Sequence, residues 1–224
     1  MSTFTPPARE KNALDNVKLN LSAPCPADPN KRSTLIWGIH ANNPRLTVYT
    51  NVPDDQGAAT NYGKITANLD MPVFFAFLDL LYKTISSKEP CASKIENKNF
   101  IFPGGKRSEH PVVVSELWVG KDDDGSVWLS VTAKNRPKIK FTFGISDFHA
   151  FIHKDGTPYT KGETSVLFAN GYVKILENVM TTLAVDKYVE PVKKDGGNNR
   201  GGGGNRGGNG GGSQMAKMDD DIPW

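Results

Sequence analysis

The chain is short of cysteine, of long apolar runs and of net charge, and each shortage removes a class of protein. Its two cysteines, Cys25 and Cys91, show no CxxC or Cys/His spacing, so a zinc site has little support and a disulfide scaffold none. Both are expected as free thiols in a reducing compartment. The most apolar run covers residues 73–78, far below the ~20 residues of a membrane-spanning helix. The opening residues from Met1 carry neither the basic region nor the apolar stretch of a secretory signal. A soluble protein of the cytoplasm is the expectation. Net charge is only +3, from 27 basic and 24 acidic residues, so overall charge argues neither for nor against a polyanionic partner.

Glycine is plentiful but unevenly spread. Of 22 glycines, 11 fall within residues 196–212, where Gly, Asn and two Arg leave nothing apolar to bury. The chain therefore divides into a body over residues 1–190, a flexible Gly/Asn/Arg-rich linker over 191–214, and an acidic tip over 215–224.

Within the body, strand and helix periods alternate. Val17, Leu19 and Leu21 alternate with polar residues and predict a strand. Residues 34–40 and 45–52 predict a hairpin around Ala41-Asn42-Asn43-Pro44, and residues 62–69 a further strand. Residues 71–87 change period: Phe74, Phe77, Leu78, Leu81 and Ile85 mark a core-packing helix with Asp70 as cap and Pro72 in the first turn. Residues 111–120 and 126–133 flank the turn Lys121-Asp122-Asp123-Asp124-Gly125, and residues 138–143 predict the next strand. A short helical piece is expected near residues 147–153. A long helix is expected over residues 165–187, with Ala169, Tyr172, Leu176, Val179 and Leu183 as its stripe and Val173 and Met180 widening it.

Alternation along residues 127–143 sets Trp128 on the face opposite Val127, Leu129 and Val131. Lys134, Arg136, Lys138 and Lys140 then recur at every second position. An indole beside a cationic row offers a base-stacking surface next to a phosphate-attracting track, as single-stranded nucleic acid requires. A solvated face whose lysines discourage edge pairing explains the lysines alone better; the interleaved Trp128 brings the two readings level. Tyr49 with Arg45 and Thr47 is a weaker copy of the pattern. Lys106 and Arg107, after Pro103-Gly104-Gly105, form a basic loop tip able to close over a strand. Trp37 and Trp118 read as core candidates.

Catalytic readings find little support. Gly105-Lys106 fails the phosphate-loop motif, because Phe100 stands where the first Gly belongs and Arg107 where Ser or Thr belongs. His149 and His153 are four residues apart without a third ligand. Asp122, Asp123 and Asp124 occupy an ordinary hairpin turn, and Asp54 and Asp55 a polar loop. Neither catalysis, metal nor cofactor is expected.

The most specific signal is the end of the chain. Asp219, Asp220 and Asp221 followed by Ile222, Pro223 and Trp224 combine charge attraction to a basic rim with an apolar anchor for a pocket. This tip resembles that of bacterial and bacteriophage single-stranded DNA-binding proteins (SSBs), which commonly ends Asp-Asp-Asp-Ile-Pro-Phe; Trp224 replaces the phenylalanine. The linker is similar to theirs as well. The resemblance covers about the last thirty residues, and the length of the body suits a diverged phage member better than a host one. It implies a β-rich α+β body built as an OB-fold-like β-barrel with added helices and a disordered C-terminal tail. It also implies a protein of replication, recombination and repair in the cytoplasm, the host's if phage-encoded. Such a protein coats single-stranded DNA and recruits a polymerase, helicase or nuclease through its tip. Arg200-Gly201-Gly202 and Arg206-Gly207-Gly208 keep an RNA-binding or strand-annealing protein open as an alternative. A non-binding adaptor and a nuclease are the remaining rivals.

Overall fold

The computed structural model describes residues 11–190; the linker and tip lie outside the described residues. Four strands come first: β1 (Leu21–Cys25), β2 (Asp28–His40), β3 (Asn43–Tyr49) and β4 (Lys64–Asn68). They pair in sequence order as an antiparallel meander. Helix α1 (Met71–Ser86) follows. The order then repeats with β5 (Cys91–Asn99), β6 (Val112–Lys121), β7 (Val127–Thr132), β8 (Phe141–Thr142) and α2 (Lys161–Asp186).

The expected OB-type barrel is not formed, and the SSB-type description built on it does not hold for the body. Closure needs the first and last strands of a sheet to pair. Here β1 and β4 bound one four-stranded sheet, β5 and β8 the other, and neither sheet closes on itself. Each sheet instead buries one face: Leu35, Leu46, Val48 and Ile65 from the N-terminal sheet, and Leu117, Val119, Leu129 and Phe141 from the C-terminal one, share a core with both helices. Two open sheets with covered inner faces satisfy the apolar pattern without the strand tilt and stagger that a barrel demands.

Local signals explain most elements. The β2–β3 hairpin turns on Ala41 and Asn42, both at positive φ, the backbone that a two-residue turn between twisted strands requires. Helix α1 buries the expected stripe of Phe74, Phe77, Leu78, Leu81 and Ile85. Its C-terminal carbonyls receive an outside donor, because Lys121 Nζ bonds Ile85 O at 3.0 Å and Ser87 O at 2.6 Å. Helix α2 starts at Lys161, earlier than its apolar stripe, through a capping box of Thr160 and Glu163. Gly162 sits there with its backbone against Asp124 and Gly125, so the helix start packs directly on the β6–β7 turn.

Other expectations shift. Val17–Leu19 is a 3-10 turn capped by the Asn16 side chain, with strand structure beginning only at Leu21. Residues 147–153 form turns and a single bridge between Ile152 and Pro158. Of the expected 138–143 strand, Phe141–Thr142 pairs with β7 and Phe143 N–H adds one bond to Val127 O at 2.9 Å; Ile139, Phe141 and Phe143 are buried as the alternation implied. Strand β5 has no counterpart among the strands expected from the sequence. It is an edge strand with mostly exposed Lys, Glu and Asn, so its apolar alternation is faint.

Candidate nucleic-acid interface

The pleat of β6 and β7 sends every second side chain away from the core. Leu117 and Val119 point in, so Glu116, Trp118 and Gly120 point out; on β7 Trp128, Ser130 and Thr132 do the same. Register aligns Glu116 with Thr132, Trp118 with Ser130, and Gly120 with Trp128. The two indoles thus stand diagonally across adjacent strands, separated by small side chains. Lys94 of β5 is opposite Trp118, and Lys138 and Lys140 lead into β8. An open cleft of about 270 Å³ lies between the indoles, floored by Ser130 and Thr132 and walled by Lys138, Ile139 and Lys140.

Gly120 accounts for the position of the Trp128 ring. A Cβ at residue 120 would collide with the six-membered ring of that indole, so the ring lies directly on the β6 backbone.

Both indoles carry the same set of partners. Trp128 Nε1 donates to Asp122 Oδ1 at 2.9 Å, and Lys140 Nζ binds the same carboxylate at 2.8 and 2.9 Å. The Lys140 ammonium stands 4.7 Å from the Trp128 ring centroid. On the neighbouring strand Trp118 Nε1 donates to Glu116 Oε2 at 2.9 Å, Lys94 Nζ binds Glu116 Oε1 at 2.5 Å, and Lys94 is 5.4 Å from the Trp118 centroid. Lys94 also pairs with Glu96, which in turn holds Lys98. Hydrogen bonds from Lys94 and then Trp118 hold the Glu116 carboxyl below its ordinary range, and Glu116, then Glu96, raises Lys94. Glu116 is therefore an anion and Lys94 a cation near neutral pH.

The predicted residues scatter. Trp128, Lys138 and Lys140 come together at the cleft. Lys134 is exposed in the turn after β7. Arg136 leaves the row altogether: it forms a two-pronged pair with Asp55, Nε–Oδ1 2.5 Å and Nη2–Oδ2 2.8 Å, with its side chain only 13% exposed. Its guanidinium binds the loop after β3 and is not presented to solvent as a track. Tyr49 and Arg45 share the outer face of the other sheet, where Lys64 lies 5.7 Å from the Tyr49 ring and Arg45 Nε bonds Asn68 at 2.6 Å. Lys106 and Arg107 sit on the β5–β6 connection, with the Arg107 guanidinium 3.5 Å from the Phe100 ring centroid. Residues 219–224 lie outside the described residues. Trp37 is core, against Phe74 and Phe77.

Sequence reasoning missed Trp118 and Lys94. The signal for Trp118 was present, since Glu116, Trp118 and Gly120 alternate with Leu117 and Val119 as strictly as the residues of β7 do. Lys94 needed β5 to be recognised first. Among the described residues, no group of three His, Cys, Asp or Glu side chains is placed to hold a metal ion, and no helix is long and apolar enough to cross a membrane. His153 stacks on Tyr159 at 3.8 Å between centroids. Comparisons with protein-family models, with curated proteins and with solved structures find no match to this chain.

Proposed function

We propose that this protein binds single-stranded DNA on the outer face of the C-terminal sheet and recruits other proteins through its C-terminal tip. The observation that carries the first part is the pair of indoles on adjacent strands, flanking a cleft edged by Lys138 and Lys140. Unpaired bases have open π-faces to stack on such rings, and the lysines meet the phosphates between them. Duplex DNA keeps its bases stacked and offers the platform only its backbone. Coating a strand needs no bond chemistry, and the role suits a cytoplasmic protein of replication, recombination or repair.

The test is a titration of labelled poly-dT at two salt concentrations. Binding should weaken with salt, and Lys138→Gln with Lys140→Gln should flatten the logarithmic slope by ~0.7 for each phosphate no longer neutralised. A slope unchanged by both substitutions would move the phosphate track off this face.

The second part rests on the resemblance of residues 218–224 to the SSB tip and on the chemistry of three carboxylates ahead of an Ile-Pro-Trp anchor. Deleting residues 215–224 should leave poly-dT affinity intact, or slightly raised at low salt. The same deletion should abolish capture of replication proteins in a pull-down. Trp224→Ala should lose most of that capture and Trp224→Phe should keep it. Truncation that destroys DNA affinity while capture survives would contradict this assignment.

A further inference from the structure

We propose that Asp122 and Glu116 are specificity residues, holding Lys140 and Lys94 over the two indoles so that the face opens to unpaired bases and stays closed to bare phosphate. The inference rests on the reading of this face as a nucleic-acid site and adds what decides which nucleic acid it takes.

The geometry is a lid on each ring. Gly120 lets one side of Trp128 rest on the β6 backbone, so stacking must use the side turned away from the sheet. Lys140 stands over that ring while clamped by both oxygens of Asp122. Trp118 repeats the arrangement with Lys94 and Glu116. Both ammonium groups lie within the ~6 Å reach of a cation–π contact. Each carboxylate also accepts the N–H of the indole it guards, so one side chain fixes the ring edge and the lid together.

Exchange then depends on what the ligand can offer in return. An exposed ion pair is worth less than a stacked base, so an unpaired base displaces the ammonium, which becomes available to the adjoining phosphate. A duplex has no free base face to offer. Against it the lids stay shut, and the two lysines remain neutralised by carboxylates that also repel its phosphates. The carboxylates thus weaken binding to every polyanion, but least to one that brings bases.

The experiment compares the full chain with Asp122→Asn, Glu116→Gln and the double variant, on labelled oligo-dT and on a duplex of equal length at one salt concentration. Asp123→Asn is the control: it is exposed, lies one residue further along the same turn, and changes charge identically without touching Lys140 or Trp128. Asn and Gln can still accept the indole N–H, so the rings keep their edge contacts. Asp122→Asn should strengthen duplex binding by about three- to fivefold, the scale of releasing one exposed ion pair. Glu116→Gln should do so by less, because Glu96 still holds Lys94 at 2.9 Å, and both should raise oligo-dT binding less than duplex binding. In the double variant the preference for single strand over duplex should fall by about fivefold, most of it from the Asp122 site. Asp123→Asn should leave that preference unchanged. A preference unaltered in the double variant, or lowered as much by Asp123→Asn, overturns the inference while the binding face stands. Failure of the unmodified chain to bind oligo-dT overturns the proposed function itself, and the lids with it.

Discussion

Alanine at both Trp118 and Trp128 should weaken oligo-dT binding by roughly 2–6 kcal/mol, each indole contributing ~1–3 kcal/mol as a stacking surface. The effect should persist at high salt, where the lysine contributions are screened, because stacking does not depend on counter-ion release. Gly120→Ala provides an independent route to the same loss. The new Cβ would occupy space now filled by the Trp128 ring, so the indole must leave its place on β6 although its chemistry is untouched. That variant should bind about as poorly as Trp128→Ala. Circular dichroism and the thermal midpoint separate a lost surface from a lost fold. Both indoles are partly exposed on the outer face, so the inner faces of the strands keep their packing.

Asp55→Ala should cost ~3–5 kcal/mol of stability, the range for removing one member of a buried ion pair, against a total of ~5–15 kcal/mol for a typical domain. Asp55 is 3% exposed and accepts from Arg136 twice and from Thr50 Oγ1 at 2.6 Å. Arg136 reaches it from the β7–β8 connection and also donates to Lys64 O at 3.2 Å, so the pair ties the two sheets. Burial by itself would raise the Asp55 carboxyl. The hydrogen bonds from Arg136 and Thr50, with the charge of Arg136, outweigh it and hold the group below its ordinary value. A depressed folded pKa means stability that is complete above the unfolded value of ~3.9 and fades as pH falls through the folded one. Urea midpoints measured from neutral pH downwards should show this acid-side loss in the native chain. Asp55→Asn should be less stable near neutrality and flatter in acid. Equal midpoints for native and variant near neutral pH would remove the pair from the account of stability.

How much of this was legible varies with how local the cause is. Helix α1 was readable because a stripe, a proline and a breaker all lie within residues 70–90. The β6–β7 hairpin was readable because alternation and a Gly-ended turn coincide. Sheet closure was not. Whether a meander joins its ends depends on what covers its inner face, and that is decided by α1, α2 and the other sheet, far along the chain. The cationic row failed for a similar reason. A period of two from Lys134 to Lys140 carries the row across the connection between two strands, but Asn135 adopts positive φ and Pro137 follows, so the chain turns there and delivers Arg136 to Asp55. Half of the site was visible in Trp128, Lys138 and Lys140. In the other half, Trp118 and Glu116 were legible from the β6 alternation, while Lys94 required the register between β5 and β6.

The most direct test of the account is tryptophan emission during titration with oligo-dT. Trp118 and Trp128 edge the cleft, whereas Trp37 is buried at 4% exposure. Stacked bases should therefore quench the two surface indoles, and the quench should shrink in Trp118→Phe, shrink in Trp128→Phe, and vanish when both are changed with Trp224 also replaced by Phe. Oligo-dT that binds with an undiminished quench in that triple variant, or binds the native chain with no quench, would contradict the placement of single strands on this sheet.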